Sequence, residues 1–233
     1  MPHNLFTKTG SLVVLLGAIA TSGLLNACST PAQNQAQAPS PAATDAGASK
    51  QMDHGSMNHG NMGSMMMDLG PADADFDLRF IDAMTPHHQG ATEMAKEAQQ
   101  KSKRPEIKKL AADIIKAQDQ EIAQMKQWRQ AWYPKAASTP MAYNSKMGKM
   151  MPMPSDQMKG MMMNMDLGAT DDQFDLRFMN AMIPHHESAV VMANDTMSKT
   201  KRPEIKKLAE DIVSSQQTEI AQMKQWRKTW YNQ

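Results

Sequence analysis

The 233-residue chain is long enough for one or two domains, and its 25 basic and 24 acidic side chains leave no surplus to attract nucleic acid or an acidic lipid surface. A single cysteine excludes an intramolecular disulfide, so the fold rests on its core or on metal. The unusual figure is 25 methionines.

Met1 to Gly10 carry Lys8 and no acidic residue, and Ser11 to Leu25 form an apolar run too short and wrongly flanked for a membrane span. The run ends in Leu25-Asn26-Ala27-Cys28, which resembles the bacterial lipobox, where the chain is cut before a cysteine that receives a lipid. Residues 1–27 are therefore expected to be a signal peptide and Cys28 a lipidation site. An ordinary secretory signal with an incidental cysteine is the simpler alternative. Either way the mature chain is expected outside the cytoplasm, in the periplasm or at the cell surface, touching a membrane only through the lipid. Residues 28–50, mostly Ala, Gln, Pro, Ser and Thr, read as a disordered tether.

Residues 51–67 carry the first strong chemical signal. Met52-Asp53-His54-Gly55 is echoed by Met57-Asn58-His59-Gly60, followed by Met62, Met65, Met66 and Met67. Glycines interrupt regular structure here, and almost no aliphatic residue accompanies the methionines. Thioethers are soft, neutral ligands that suit Cu(I) and Ag(I) and discriminate against Mg, Ca and Mn. The Met-x-His pairs suit Cu(I) or Cu(II). Outside the cytoplasm, unused methionines are a liability to sulfoxide formation. A sticky, biased linker is the bland alternative.

Residues 68–133 return as 166–231 with an offset of 98 residues and 41 identities over 66 gapless positions. Each copy predicts two helices. Phe76, Phe80, Met84, His87 or His88, Ala91, Met94 and Ala98 recur at helical spacing, and so do Ile107, Leu110, Ala111, Ile114, Gln118, Glu121, Ile122, Met125, Trp128 and Trp132. The short break near Lys101 to Arg104, with Pro105 suited to a first turn, predicts an antiparallel helical hairpin. One helical hairpin cannot cover its apolar face, so the two repeats, 68–133 and 166–233, predict an all-α four-helix bundle with disordered methionine-rich flanks. Pro86 and Pro184 fall mid-helix, and the apolar period continues in phase past both, which favours a bend over a break.

A turn near residue 103 sets residue i level with about residue 205 − i. Met84, His87, His88, Gln118 and Glu121 then share one layer with Met182, His185, His186, Gln216 and Glu219. Adjacent histidines on a helix point about 100° apart, so only one of each pair is expected to face fully inward. Two accounts stand. In one, the polar layer sets helix register, with Met84, Met94 and their copies Met182 and Met192 as core filler. In the other, one imidazole per repeat binds metal beside those methionines, while Gln118, Glu121, Gln216 and Glu219 orient the rings. Di-iron bundles use Glu-x-x-His, which occurs nowhere in the chain.

The linker, 134–165, holds Met147, Met150, Met151, Met153, Met158, Met161, Met162, Met163 and Met165. It too reads as lacking regular structure. Its length exceeds what an up-down-up-down bundle needs to join Tyr133 to Asp166. Both methionine segments are expected to gather at one pole, near the amino ends of the first helix of each repeat.

Phe76-Asp77-Leu78-Arg79-Phe80 followed by Met84-Thr85-Pro86-His87-His88, its copy from Phe174 to His186, and the runs Gln118 to Trp128 and Gln216 to Trp226 resemble the family catalogued as domain of unknown function 305. Thr85 departs from the isoleucine kept at Ile183. The resemblance covers most of residues 68–231. It implies a ferritin-like bundle and, for members with methionine-rich flanks, extracytoplasmic copper binding and resistance. The combined expectation is a protein that sequesters or carries Cu(I), with Ag(I) and Cu(II) as further candidate ions and a copper-transfer protein as a candidate partner, without catalysis. An envelope scaffold with a purely structural His–Glu layer is the alternative, and a copper redox enzyme a third.

Overall fold

The computed structural model describes residues 68–233. The expected signal peptide, Cys28, the tether and the first methionine segment (Met52, His54, Met57, His59, Met62, Met65, Met66 and Met67) lie outside the described residues. The elements are α1 (Phe76–Lys101), α2 (Pro105–Trp132), β1 (Met141–Asn144), β2 (Lys149–Pro152), α3 (Ser155–Met162), α4 (Phe174–Lys199) and α5 (Pro203–Tyr231). Both repeats form the expected helical hairpin. Extended backbone at Ser102 and Thr200 ends the first helix, and a proline in the first turn opens the second. Helices α1 and α4 run unbroken through Pro86 and Pro184.

The apolar stripes meet in two clusters, each mixing both repeats. One joins Phe76, Phe80 and Met84 of α1 to Met192 and Ala193 of α4 and to Ile205, Leu208 and Ile212 of α5. The other joins Met94 and Ala98 of α1, and Ile107 and Ile114 of α2, to Phe174, Phe178 and Met182 of α4. The start of α1 thus packs on the end of α4 and the reverse, so the two run antiparallel. Each of these large side chains contributes roughly 1.5–3 kcal/mol by leaving water.

The repeated Asp-Leu-Gly motif locks this arrangement. Asp68 and Asp166 accept the backbone N–H of Gly70 and Gly168 through their side chains, and both glycines sit at positive φ (77° and 73°). Leu69 and Leu167 are buried, and their carbonyls accept Nε–H of Arg79 and Arg177. The Gly70 carbonyl then accepts Lys199 at the end of α4, while that of Gly168 accepts Lys101 at the end of α1. Arg104 and Arg202, in the helical turns, stack over Trp230 and Trp132 of the opposite repeat at 4.3 and 4.2 Å.

These contacts overturn the expectation that the amino ends of the first helix of each repeat share a pole. The amino ends of α1 and α4 lie at opposite ends of the helices, so the linker runs the length of the molecule. A 26-residue helix is about 39 Å long, which is why a short loop does not suffice. Nor is the linker irregular. Strands β1 and β2 pair antiparallel from Met141↔Pro152 to Asn144↔Lys149, with Gly148 at φ 61° in the turn. The amide of Met141 donates to Asp82 Oδ2 at 2.8 Å, which docks the ribbon on α1. Helix α3 begins after Pro154, where methionine, a fair helix former, outweighs Gly160. Met161, a candidate outer ligand in the sequence, is instead buried in a core cluster.

Candidate metal centre

The histidines of both repeats meet midway along α1 and α4, where the antiparallel helices cross in register. All four are buried: His87 is 1 % exposed and His88, His185 and His186 are 0 %. The expectation that only one of each pair turns inward is therefore wrong. Both turn inward, about a quarter-turn apart, because each has a different neighbour on its own side. His88 and His186 face the second helix of their own repeat and bond Glu121 and Glu219 at 2.6 and 2.7 Å. His87 and His185 face each other across the α1–α4 seam, ring centroids 3.9 Å apart.

The partner of His88 is Glu121, about one helical turn beyond the level expected from the turn position, and Asp82–Arg129 is displaced in the same direction. Helical side chains lean toward their own amino terminus, so in an antiparallel pair the two partners lean in opposite senses along the axis. Gln118 and Gln216 are buried beside this layer, and their Oε1 atoms have no hydrogen-bond partner in the protein.

The seam is finished asymmetrically. His87 Nε2 lies 2.6 Å from Ser188 Oγ. The matching position in the first repeat is Gly90, and there His185 Nε2 donates instead to the Met162 carbonyl at 3.1 Å. A Cβ on Gly90 would lie 1.7 Å from that oxygen, so only glycine admits the linker. Ser188, Gly90 and the Met162 carbonyl were not anticipated. The available signal was a glycine within a helix, which costs about 1 kcal/mol relative to alanine and so marks a close approach.

The network fixes the protons. The carboxylates and the Met162 carbonyl accept, so Nε2 donates in His88, His186 and His185. Ser188 places its hydroxyl proton on the His185 carbonyl at 2.6 Å, so His87 Nε2 donates as well. In His87 and His185, kept neutral by burial, the lone pair therefore lies on Nδ1, and all four Nδ1 atoms are buried without a partner. Burial first, then the neighbouring histidines, hold His87 well below the ordinary imidazole range and His185 at about 3, although the Met162 bond opposes the shift in His185. The two seam imidazoles are thus neutral, each with an unused nitrogen lone pair. Met84, Met94, Met182 and Met192 are buried in the adjoining clusters. In the linker, Met147 and Met165 are exposed, and Met150, Met151, Met153, Met158, Met162 and Met163 are partly buried. Among the described residues, no three His, Cys, Asp or Glu side chains are grouped so as to hold a metal ion. No described helix is long and apolar enough to cross a membrane.

Two repeated helical hairpins closed around a buried histidine layer define a class of α-helical domain. The chain belongs to the family described as domain of unknown function DUF305, whose model matches residues 22–129 and 77–227. It is similar to CopM in the Cu(I)-bound form, with 43 % identity, coverage of 66 % of this chain and 97 % of that one, and a TM-score of 0.52. Against CopM in the Cu(II)-bound form the identity is 46 %, with the same coverage and a TM-score of 0.53. CopM is also matched in Ag-bound and apo forms. A DUF305 protein of Streptomyces coelicolor is 32 % identical, over 63 % of this chain and 88 % of that one, with a TM-score of 0.50. An uncharacterized protein of Acanthamoeba polyphaga mimivirus is 49 % identical over 49 residues, a match that spans 21 % of this chain and 32 % of the viral protein.

Proposed function

We propose that this protein is an extracytoplasmic copper-binding protein that sequesters or carries Cu(I) for copper resistance or homeostasis. The observation that carries the reading is the set of four buried imidazoles whose Nδ1 atoms have no partner in the protein. An unpartnered buried acceptor costs on the order of 1–3 kcal/mol, which a bound ion would remove. Neutral imidazole and thioether are the donors a soft monovalent ion prefers, and the layer excludes the water that hard cations retain. The similarity to CopM, matched in copper- and silver-bound forms at 43–46 % identity, supports the same ions here. Binding and transfer, not turnover, is the function.

One imidazole of each repeat, His87 and His185 at the seam, is the proposed interior ligand, with Met84 or Met182 as a soft partner, while His88 and His186 stand behind them, oriented by Glu121 and Glu219. The methionines of 52–67 and 147–165 are proposed as a second, outer set. The single long crossover favours naming the fold a ferritin-like four-helix bundle. A periplasmic or surface location, with Cys28 as lipid anchor, follows from the leader-like residues 1–27.

Anaerobic Cu(I) titration of the chain from Ser29, against a competing chelator, tests this reading. Two variants are compared with the parent: leucine at every methionine of 52–67 and 147–165 except core Met161, and asparagine at His87, His88, His185 and His186. Tight equivalents lost separately in the two variants are expected. Retention of all tight binding by the histidine variant would remove the layer from the site. No binding by the parent would leave the layer as a packing network in a scaffold protein.

A further inference from the structure

We infer that the end of α3, with the thioethers of Met162 and Met163, is the port through which a soft monovalent metal ion reaches the buried histidines. The inference rests on the copper reading and adds a route to it. The layer is closed on the α1–α4 side by residues 161–164, which lie across the seam as a strap. Met161 anchors one end in the core, and Asn164 anchors the other by donating to Glu93 Oε2 at 2.7 Å. Between the anchors, the Met162 carbonyl accepts His185 Nε2–H. Met163, in the left-handed region at φ 44°, brings its Sδ to 3.4 Å from Ser188 Oγ.

Ser188 in turn lies 2.6 Å from His87 Nε2. A contiguous path therefore runs from a partly exposed thioether, through one hydroxyl, to a fully buried imidazole. The strap contacts its rings through Nε2 and leaves Nδ1 free, so an ion can be accepted without breaking the bonds that orient the rings. The groove between α2 and α5 also reaches the layer, through Glu121 on His88, but its lining of Gln120, Glu121, Gln124 and Asp211 offers oxygen donors that favour hard ions. Gly90 shows that the strap is a built feature, since any side chain there would displace the Met162 carbonyl.

The test is the rate at which Ag(I), a closed-shell soft ion, alters the imidazole NMR signals of His87 and His185 in the full-length mature chain. Met162→Leu with Met163→Leu nearly conserves volume and keeps the fold. It is expected to slow uptake by about tenfold or more while leaving the final occupancy of the layer unchanged. Met197→Leu, a thioether on α4 outside the strap and outside the proposed ligand sets, is the control and is expected to load at the parent rate. Equal rates for parent and strap variant would overturn the port, and so would equal slowing by the control variant. A loss of final occupancy in the strap variant would also overturn it, by making the two thioethers resident ligands. Gly90→Ala gives an independent arm. In the metal-free protein it is expected to raise hydrogen exchange in α3 and to change the uptake rate, and an unchanged rate with a displaced strap would count against the port. If the parent's histidine signals do not respond to silver, the copper reading fails, a result distinct from any failure confined to the strap.

Discussion

Acidification of the metal-free protein is expected to unfold it between about pH 6 and pH 4, before its carboxylates titrate. His87 and His185 are neutral in the folded state because burial and neighbouring histidines depress their protonation, His185 to about 3. In the unfolded chain both return to about 6.5. Between those values the unfolded state binds more protons, so stability rises with pH through the window and is lost as pH falls. The full contribution is present above about pH 6.5. A depression of this size corresponds to roughly 4–5 kcal/mol for His185 alone at the acid end, a large share of the roughly 5–15 kcal/mol typical of a domain. Carboxylates titrate near 4 and below, so the upper part of the window belongs to the imidazoles. Circular dichroism against pH, for the parent and for His87→Asn with His185→Asn, reads this out. The double variant is expected to start from lower stability at pH 7 yet lose little more until the carboxylates protonate. A transition of the same width and position in both proteins would remove the seam histidines as its cause.

Much of this centre was legible in the sequence because it lies in the repeated part. Helical spacing from Phe76 to Ala98 placed His87, His88 and Met84 on or beside the buried stripe, and the periodicity of α2 brought Glu121 to the same layer. What the repeat could not supply was the relation between its two copies. A tandem duplication is equally compatible with parallel or antiparallel helical hairpins, and the up-down-up-down arrangement assumed for it was the wrong one. The deciding contacts, Lys199 to Gly70 and Lys101 to Gly168, join residues far apart in sequence and leave no local period.

The linker failed for a related reason. Its glycines and prolines suggested irregular chain, but Gly148 forms a turn and Pro152 and Pro154 flank the junction from β2 to α3. Its buried methionine, Met161, is indistinguishable from its neighbours by composition. The useful signals were the places where the copies differ. Gly90 against Ser188, and Asp82 against Asn180, mark where the linker leans on the first repeat alone.

Asp82→Ala is expected to destabilise the protein by about 3 kcal/mol, while Asn180→Ala at the matching position costs less than about 0.5 kcal/mol. Asp82 is 3 % exposed and binds Arg129 at 2.5 and 3.1 Å as well as the Met141 amide. Removing the carboxylate leaves a guanidinium and a ribbon amide without their acceptor. Arg129 retains the Ala137 and Thr139 carbonyls and is partly exposed, which keeps the cost at the lower end for a broken buried pair. Asn180 is exposed and makes one bond, to Arg227. Denaturant melts of the two variants give the comparison, and equal losses would show that the ribbon contributes nothing through this node. Hydrogen exchange then locates the effect. Protection should be lost across Met141–Pro152 but kept at α3, because the strap has its own anchors in Met161 and Asn164. Loss at both would mean that the linker moves as one piece, so that docking of the ribbon on Asp82 also controls access to the histidines.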